Sequence, residues 1–294
     1  MSMVGSGPWG TRSGYGQSNS AGPVRIRPIS SLFVATYLDR ILQRHRELAA
    51  TDARRLAAVV AQAANMAPTR AFAASLRART DAGELAVISE IKRRSPSKGA
   101  LNADLDPADL AVRYAAGGAA ALSVLTDEEF FGGSVADLRA ARAAVSLPVL
   151  RKDFTVSELD VCDARLMGAD CVLLIAAALD RAELVAFHAL ADDIGIEVLV
   201  EIHDEPELDV ALAAGATLIG VNQRDLVTFE VDHERAVRMA ALIPDHVVKV
   251  AESGVRGGAD ARALQAAGYH AVLVGETLVT ADEPERVLLE LRLG

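Results

Sequence analysis

Residues 197–222, EVLVEIHDEPELDVALAAGATLIGVN, hold one complete instance of the pattern that decides the fold. An apolar run at 197–201 gives way to a helical stretch, the helix ends in AAGAT starting at 213, and a second apolar run begins at 217. A glycine just past the last helical turn takes the left-handed conformation that satisfies orphan carbonyls, and a strand straight after it is what αβ connections favour. The phrase recurs as AAGGA at 115, LMGAD at 166 and AAGYH at 266. Candidate strands fall at 85–92, 121–125, 149–152, 171–175, 197–201, 217–222, 247–251 and 271–274, with a helical pattern in every gap. Eight βα units either close into a barrel or lie in an open doubly wound sheet. Polar residues gather at the C-terminal ends of strands one, three, five, six and seven, whereas an open sheet concentrates them at one switch point. The reading is therefore α/β, a (β/α)8 TIM barrel.

Upstream of the repeat, Leu38, Ile41, Leu42 and Leu48 recur at helical spacing, and an Ala-rich helix runs from about Asp52 to before Pro68, giving the barrel an N-terminal helical extension. Residues 1–30 are rich in Gly, Ser, Pro and Asn and carry too little apolar surface to offset the entropy of ordering. A disordered leader is expected there, followed by a single domain over 31–294. A hydrophobic share of 51% with 4% aromatics suits buried strands under Ala-rich helices rather than a base-stacking surface. The formal net charge of -10 repels a polyanion, and no basic stripe offsets it, so nucleic acid is not an expected partner. The longest apolar run, Cys171–Leu179, is too short to span a bilayer, and no charged segment followed by an apolar one opens the chain; no membrane partner and a cytoplasmic location are expected. Cys162 and Cys171 lack paired spacing and read as small core residues. The six histidines show no metal-ligand spacing, so neither a metal nor a cofactor is expected. His203 reads as a solvated loop residue outside the site.

The chemistry sits where the strands end. In the first strand, LAVISEIKRRSPSKG at 85–99, alternation puts Ile88, Glu90 and Lys92 on one face, so two charges point inward. Buried charges are tolerated when paired or used, which makes Glu90 and Lys92 a structural ion pair or part of a site. Ser95, Pro96, Ser97, Lys98 and Gly99 then form a hydroxyl- and amide-rich turn suited to phosphate. Strand three ends on Lys152 and strand five on Glu201, a lysine and a carboxylate able to serve as acid and base across a pocket. Strand six adds Asn222 and Arg224, an amide and a planar fork for an oxyanion. VVKVAESGVRGGAD and AVLVGETLV each end in small residues before a helix, where backbone N–H groups meet an anion without obstruction. Barrels commonly bind phosphate with these last two loops, so Ser253, Gly254, Gly275 and Glu276 mark the expected place, Glu276 through its backbone amide.

Taken together, SEIKRRSPSKG, SVLTDEEFFGGS, PVLRKDF, VLVEIHDE, IGVNQRDL, KVAESGV and VLVGETLV closely resemble, in order and from about residue 38 to the end, the indole-3-glycerol-phosphate synthase family. The resemblance implies an enzyme of tryptophan biosynthesis, a carboxy-lyase that closes 1-(2-carboxyphenylamino)-1-deoxyribulose 5-phosphate to indole-3-glycerol phosphate with loss of carbon dioxide and water. It implies that Lys152 is the general acid for ring closure and that the dehydration pair comes from Glu201, Lys92 and Glu90, with Glu201 preferred as base. Asn222 and Ser253 resemble residues that hold substrate hydroxyls, with Glu252 a nearby polar member. Ser95, Gly254, Gly275, Glu276 and Arg224 resemble phosphate contacts, and Pro96, Phe131 and Phe154 the wall against the aromatic ring. The Gly/Ser leader departs from the family pattern, as do Gln223 and Gly132, where asparagine is the commoner residue. The nearest rival is a sister barrel such as phosphoribosylanthranilate isomerase, whose Amadori rearrangement needs one acid–base pair and not the paired Lys92 and Lys152. A catalytically silent barrel subunit is the other alternative, disfavoured by retention of all six proposed catalytic residues.

Overall fold

A computed structural model describes residues 36–95, 98–225 and 230–293. Pro96 and the expected leader at 1–30 lie outside the described residues. Three helices come first, α1 (Tyr37–Ala50), α2 (Leu56–Ala64) and α3 (Phe72–Asp81). Then follow β1 (Ala86–Ile91), a small hairpin of β2 (Arg94–Ser95) and β3 (Gly99–Ala100), α4 (Pro107–Ala116), β4 (Ala121–Leu125), α5 (Glu128–Phe131) and α6 (Val135–Ala144). The middle of the chain supplies β5 (Val149–Lys152), α7 (Glu158–Met167), β6 (Cys171–Ile175), α8 (Arg181–Ile194), β7 (Glu197–Ile202) and α9 (Glu205–Ala213). The last third is β8 (Leu218–Asn222), α10 (His233–Ala240), β9 (Val248–Glu252), α11 (Gly258–Ala266), β10 (Ala271–Val274), α12 (Glu276–Val279) and α13 (Pro284–Leu293).

Eight parallel strands close in the order β1-β10-β9-β8-β7-β6-β5-β4, so the expected barrel is the observed one, each strand end lying within one residue of its predicted place. The alternation of β1 explains why. Ala86 and Ile88 join Leu150, Leu173, Leu199, Val250 and Leu273 inside the barrel, while Val87 and Ile91 pack outward against the helices. Both faces are buried, hence the near-continuous apolar runs. The recurring glycines act as read: Gly118, Gly168, Gly215 and Gly268 all hold φ between 85° and 97°, a conformation that a Cβ disfavours. Cys162 and Cys171 are free and fully buried, and burial raises both thiol pKa values, that of Cys162 to about 11. No helix among the described residues is long and apolar enough to cross a membrane.

Helix α3 falls between the expected Ala-rich helix and strand one, where the sequence reading placed no element. Its apolar signal is only Phe72 and Leu76, and both side chains are wholly buried among the inner barrel residues. The helix start is fixed from far along the chain: the Glu197 carboxylate, at the head of β7, accepts hydrogen bonds from the backbone amides of Phe72 (2.6 Å) and Ala73 (2.8 Å). An anion on the unsatisfied N–H groups of a first turn satisfies them and complements the helix dipole. Helix α3 thus stops the N-terminal end of the barrel and leaves the C-terminal end for chemistry.

Candidate active site

At that C-terminal end lies a cavity of about 500 Å³. Every predicted site residue that the structure describes lines it: Glu90, Lys92, Lys152, Glu201, Asn222 and Ser253, together with Ser95, Phe131, Phe154, Arg224, Glu252, Gly254, Gly275 and Glu276. They come from seven different strand ends and the loops beyond them, brought together because parallel strands in a barrel all deliver their C-termini to one rim.

The floor is a network of buried charge. Lys152 Nζ, at the end of β5, donates to Glu201 Oε2 (2.7 Å) on β7 and to Glu252 Oε2 (3.0 Å) on β9. Asn222, closing β8, donates from Nδ2 to Glu201 Oε1 at 2.9 Å. At the end of β1, Lys92 Nζ pairs with Glu90 Oε1. Burial opposes the Lys152 charge, but Glu201, Glu252 and Glu90 outweigh it and raise its pKa above the ordinary lysine value. Burial also pushes Glu201 toward neutrality, yet Lys152, His203 and the Asn222 amide prevail and hold it well below the usual carboxylate range. For Glu252, burial dominates, Lys152 opposes it, and repulsion from Glu201 and Glu90 adds to it, so its pKa is raised. One ammonium shared by two carboxylates therefore splits them into a firm anion and a group able to carry a proton. Glu252 Oε1 is buried with no hydrogen-bond partner among the described residues, which fits the second role.

The loops beyond β9 and β10 have the features of an anion seat. Ser253 has φ of 66°, the only positive value among described non-glycine residues, and Gly254 follows at 74°. A non-glycine residue in this region is strained, and such strain clusters where a backbone must be aimed. Gln223 holds the turn: its Nε2 donates to the Ser253 carbonyl at 2.8 Å, and its Oε1 lies 3.1 Å from His233 Nδ1. Gln223 thus braces the rim. The Ser95 hydroxyl is buried without a partner among the described residues. The side chain of Glu276 lies 3.6 Å from Lys98, which also lines the cavity. Gly275 has a further reason to lack a side chain. A Cβ there would run into the Glu90 carboxylate and lie 3.1 Å from Lys92 Nζ, so the glycine makes room for that pair as well. Gly132 caps α5 at φ 66° beside Arg93 and Arg94, and Phe131 and Phe154 face each other with ring centroids 6.1 Å apart.

Three features of the cavity and its surroundings leave no local signal in the sequence. Tyr37, Leu38 and Ile41 of α1 supply an apolar wall of the cavity; their helical periodicity was visible, its destination was not. His203 is not solvated: only 12% of its side chain is exposed, and Nε2 stands 3.7 Å from Glu201 Oε1. The third is a group His45, Asp127 and Asp153, whose ligand atoms lie within 4.8 Å of one another. It binds α1 to the loops after β4 and β5, with His45 Nε2 at 3.0 Å from Asp127 Oδ2. The other oxygens are engaged, Asp153 by Arg151, Thr126 and its neighbour's amide, and Asp127 by the first amides capped on α5. No spacing could show a trio drawn from positions so far apart.

Among solved structures, 3-hexulose-6-phosphate synthase superposes with a TM-score of 0.54 at 18% identity, covering 70% of this chain and 98% of that one. Thiamine phosphate pyrophosphorylase from Pyrococcus furiosus superposes at 0.53 and 15% identity, covering 70% and 93%. These likenesses carry the barrel fold alone. Sequence relatives are closer. The indole-3-glycerol phosphate synthase of Micrococcus luteus is 53% identical over 238 residues, 81% of this chain and 88% of the relative. That of Chromobacterium violaceum is 49% identical over 252 residues, 85% and 95%, and that of a Polaromonas species 48% over 256 residues, 86% and 97%. A profile of the family matches residues 38–291, spanning all but the first residue of α1, the whole barrel and nearly all of α13. With the barrel, the lysine-bridged carboxylates and this match in hand, the chain belongs to the indole-3-glycerol phosphate synthase family.

Proposed function

We propose that the cavity closes the indole ring of 1-(2-carboxyphenylamino)-1-deoxyribulose 5-phosphate, releasing carbon dioxide and water and leaving indole-3-glycerol phosphate. The observation that carries the assignment of roles is the Lys152 ammonium held between Glu201 and Glu252 on the cavity floor. As the aromatic carbon bearing the carboxylate attacks the ribulose carbonyl, Lys152 gives its proton to the carbonyl oxygen. The C–C bond forms, the carboxylate leaves as carbon dioxide, and its bonding electrons restore the aromatic ring. The new hydroxyl then departs as water with a proton from an acid, while a ring proton passes to Glu201. Lys92, paired with Glu90 on β1, is the acid assigned to that step. Asn222 keeps Glu201 oriented through its 2.9 Å bond. The phosphate seats against the backbone of Ser253, Gly254, Gly275 and Glu276, with Ser95 and Arg224 alongside, because consecutive amides in turn conformations form anion-binding concavities. The aromatic ring rests on Phe131 and Phe154, which exclude water and so strengthen every charge around it.

Glu201→Gln separates the two halves of this reaction. Ring closure and carbon dioxide release continue, while indole fluorescence falls by at least about 100-fold, the lower end of what a positioned base contributes. Indole formation at the wild-type rate in that variant would remove Glu201 from the role of base.

A further inference from the structure

We propose that His203 is a positioning residue for Glu201, a second cation that keeps the base ionised once Lys152 has given its proton to the substrate. The inference rests on the reading of Lys152 as acid and Glu201 as base. In the absence of substrate Glu201 has two partners on its cavity side, Lys152 through Oε2 and Asn222 through Oε1. The acid step removes the first as a charge. A neutral lysine no longer offsets the cost of a buried carboxylate, and Glu201, 2% exposed, would then tend to pick up the proton itself and lose its function as a base.

His203 stands on the other side of that carboxylate. Its ring is locked by α9: Nδ1 lies 3.1 Å from Glu207 Oε2, and the same oxygen accepts from the His203 backbone amide at 2.7 Å. A carboxylate on Nδ1 fixes that nitrogen as the donor and makes the ring more basic. The remaining nitrogen, Nε2, is buried without a hydrogen-bond partner among the described residues and faces Glu201 Oε1 across 3.7 Å. That separation is too long for a hydrogen bond in the resting state, and short enough for a charge to act through the low-dielectric floor. The charged groups around the ring are Glu201 on β7, Glu207 on α9 and Arg235 on α10; burial and Arg235 disfavour the imidazolium, the two carboxylates favour it, and they prevail. Glu207 thus holds His203, and His203 holds the charge of Glu201.

Two measurements on the full chain test this. The imidazole resonance of His203, identified by its loss in His203→Gln, is titrated by NMR in the wild type and in Glu201→Gln. This arm needs no turnover, so it stands even if the assigned reaction is wrong. Removing the carboxylate should lower the His203 pKa by about one unit, the low end of what a close opposite charge confers; an unmoved titration overturns the coupling. The second arm is the pH profile of kcat in His203→Gln, or in His203→Asn if the first variant fails to fold. Loss of the cation should move the acid limb up by about one pH unit with KM within about twofold, since His203 does not touch substrate. A merely structural residue would lower kcat evenly across pH, and an acid limb that stays in place overturns the proposal.

Discussion

Lys152 carries the heaviest demand of any side chain in the molecule. It neutralises one buried carboxylate and shares itself with another, and in the proposed mechanism it releases its proton as the new bond forms. Lys152→Ala should lower kcat by about 100- to 10,000-fold while KM stays within about tenfold, because general acid catalysis acts on the transition state rather than on ground-state binding. Steady-state kinetics checks this, and a variant retaining a tenth of wild-type turnover would exclude the role. The fold should survive, since Glu252, whose pKa is already raised, can take up the missing proton. At this scale the sequence was informative about which residues meet and uninformative about their charge states. Alternation along β1 sends Glu90 and Lys92 inward, and strand ends bring Lys152, Glu201 and Asn222 to one rim, all readable from period and position. That Glu201 and Glu252 part company in pKa depends on Lys152 choosing to sit between them, a matter of side-chain geometry from three strands. His203 was misread for the same reason, since its burial comes from packing around the ring and not from its neighbours in sequence.

Among the elements, the strands and the two ends of the barrel tell opposite stories. Strands buried on both faces write themselves into the sequence as apolar runs, which is why β6 and β10 were placed to the residue. Helix α3 has two large apolar side chains and a first turn satisfied by Glu197, 125 residues away, so nothing local announces it. Its weight is in packing: Phe72→Ala should destabilise the protein by about 3–5 kcal/mol, the usual cost of a cavity left by a buried phenyl ring. Denaturant unfolding should show this with KM unchanged, because the plug lies at the end of the barrel remote from the cavity; a loss below about 1 kcal/mol would mean that α3 is peripheral. Helix α1 walls the cavity at the other end, and its tie has a pH signature. Burial disfavours a charged His45, but the Asp127 hydrogen bond and the Asp153 and Asp127 charges win, and its pKa is raised. A folded pKa above the unfolded value of about 6.5 means that the stabilisation is complete below that pH and is lost as pH climbs through the folded value. The melting temperature should therefore exceed that of His45→Gln by more at pH 6 than at pH 9. A difference independent of pH would show that the tie does not depend on charge.

On the scale of the whole molecule, one end of a closed barrel is sealed by a helix and the other collects charged side chains from separate strands into a cavity walled by α1. This arrangement was legible because βα repeats force all strand ends to one side, whatever the intervening helices contain. The trio of His45, Asp127 and Asp153 was not, because it joins the N-terminal extension to loops 82 and more residues downstream. A barrel with these features can in principle hold any phosphorylated sugar, and it is membership of the indole-3-glycerol phosphate synthase family that points to ring closure with loss of both carbon dioxide and water, for which the two lysine–carboxylate groupings offer acids and a base. Purified protein is therefore mixed with 1-(2-carboxyphenylamino)-1-deoxyribulose 5-phosphate, and carbon dioxide release is followed together with indole fluorescence. The two should rise together, one carbon dioxide for each indole-3-glycerol phosphate formed; a protein that leaves this compound intact, or that instead isomerises phosphoribosylanthranilate, would contradict the assignment.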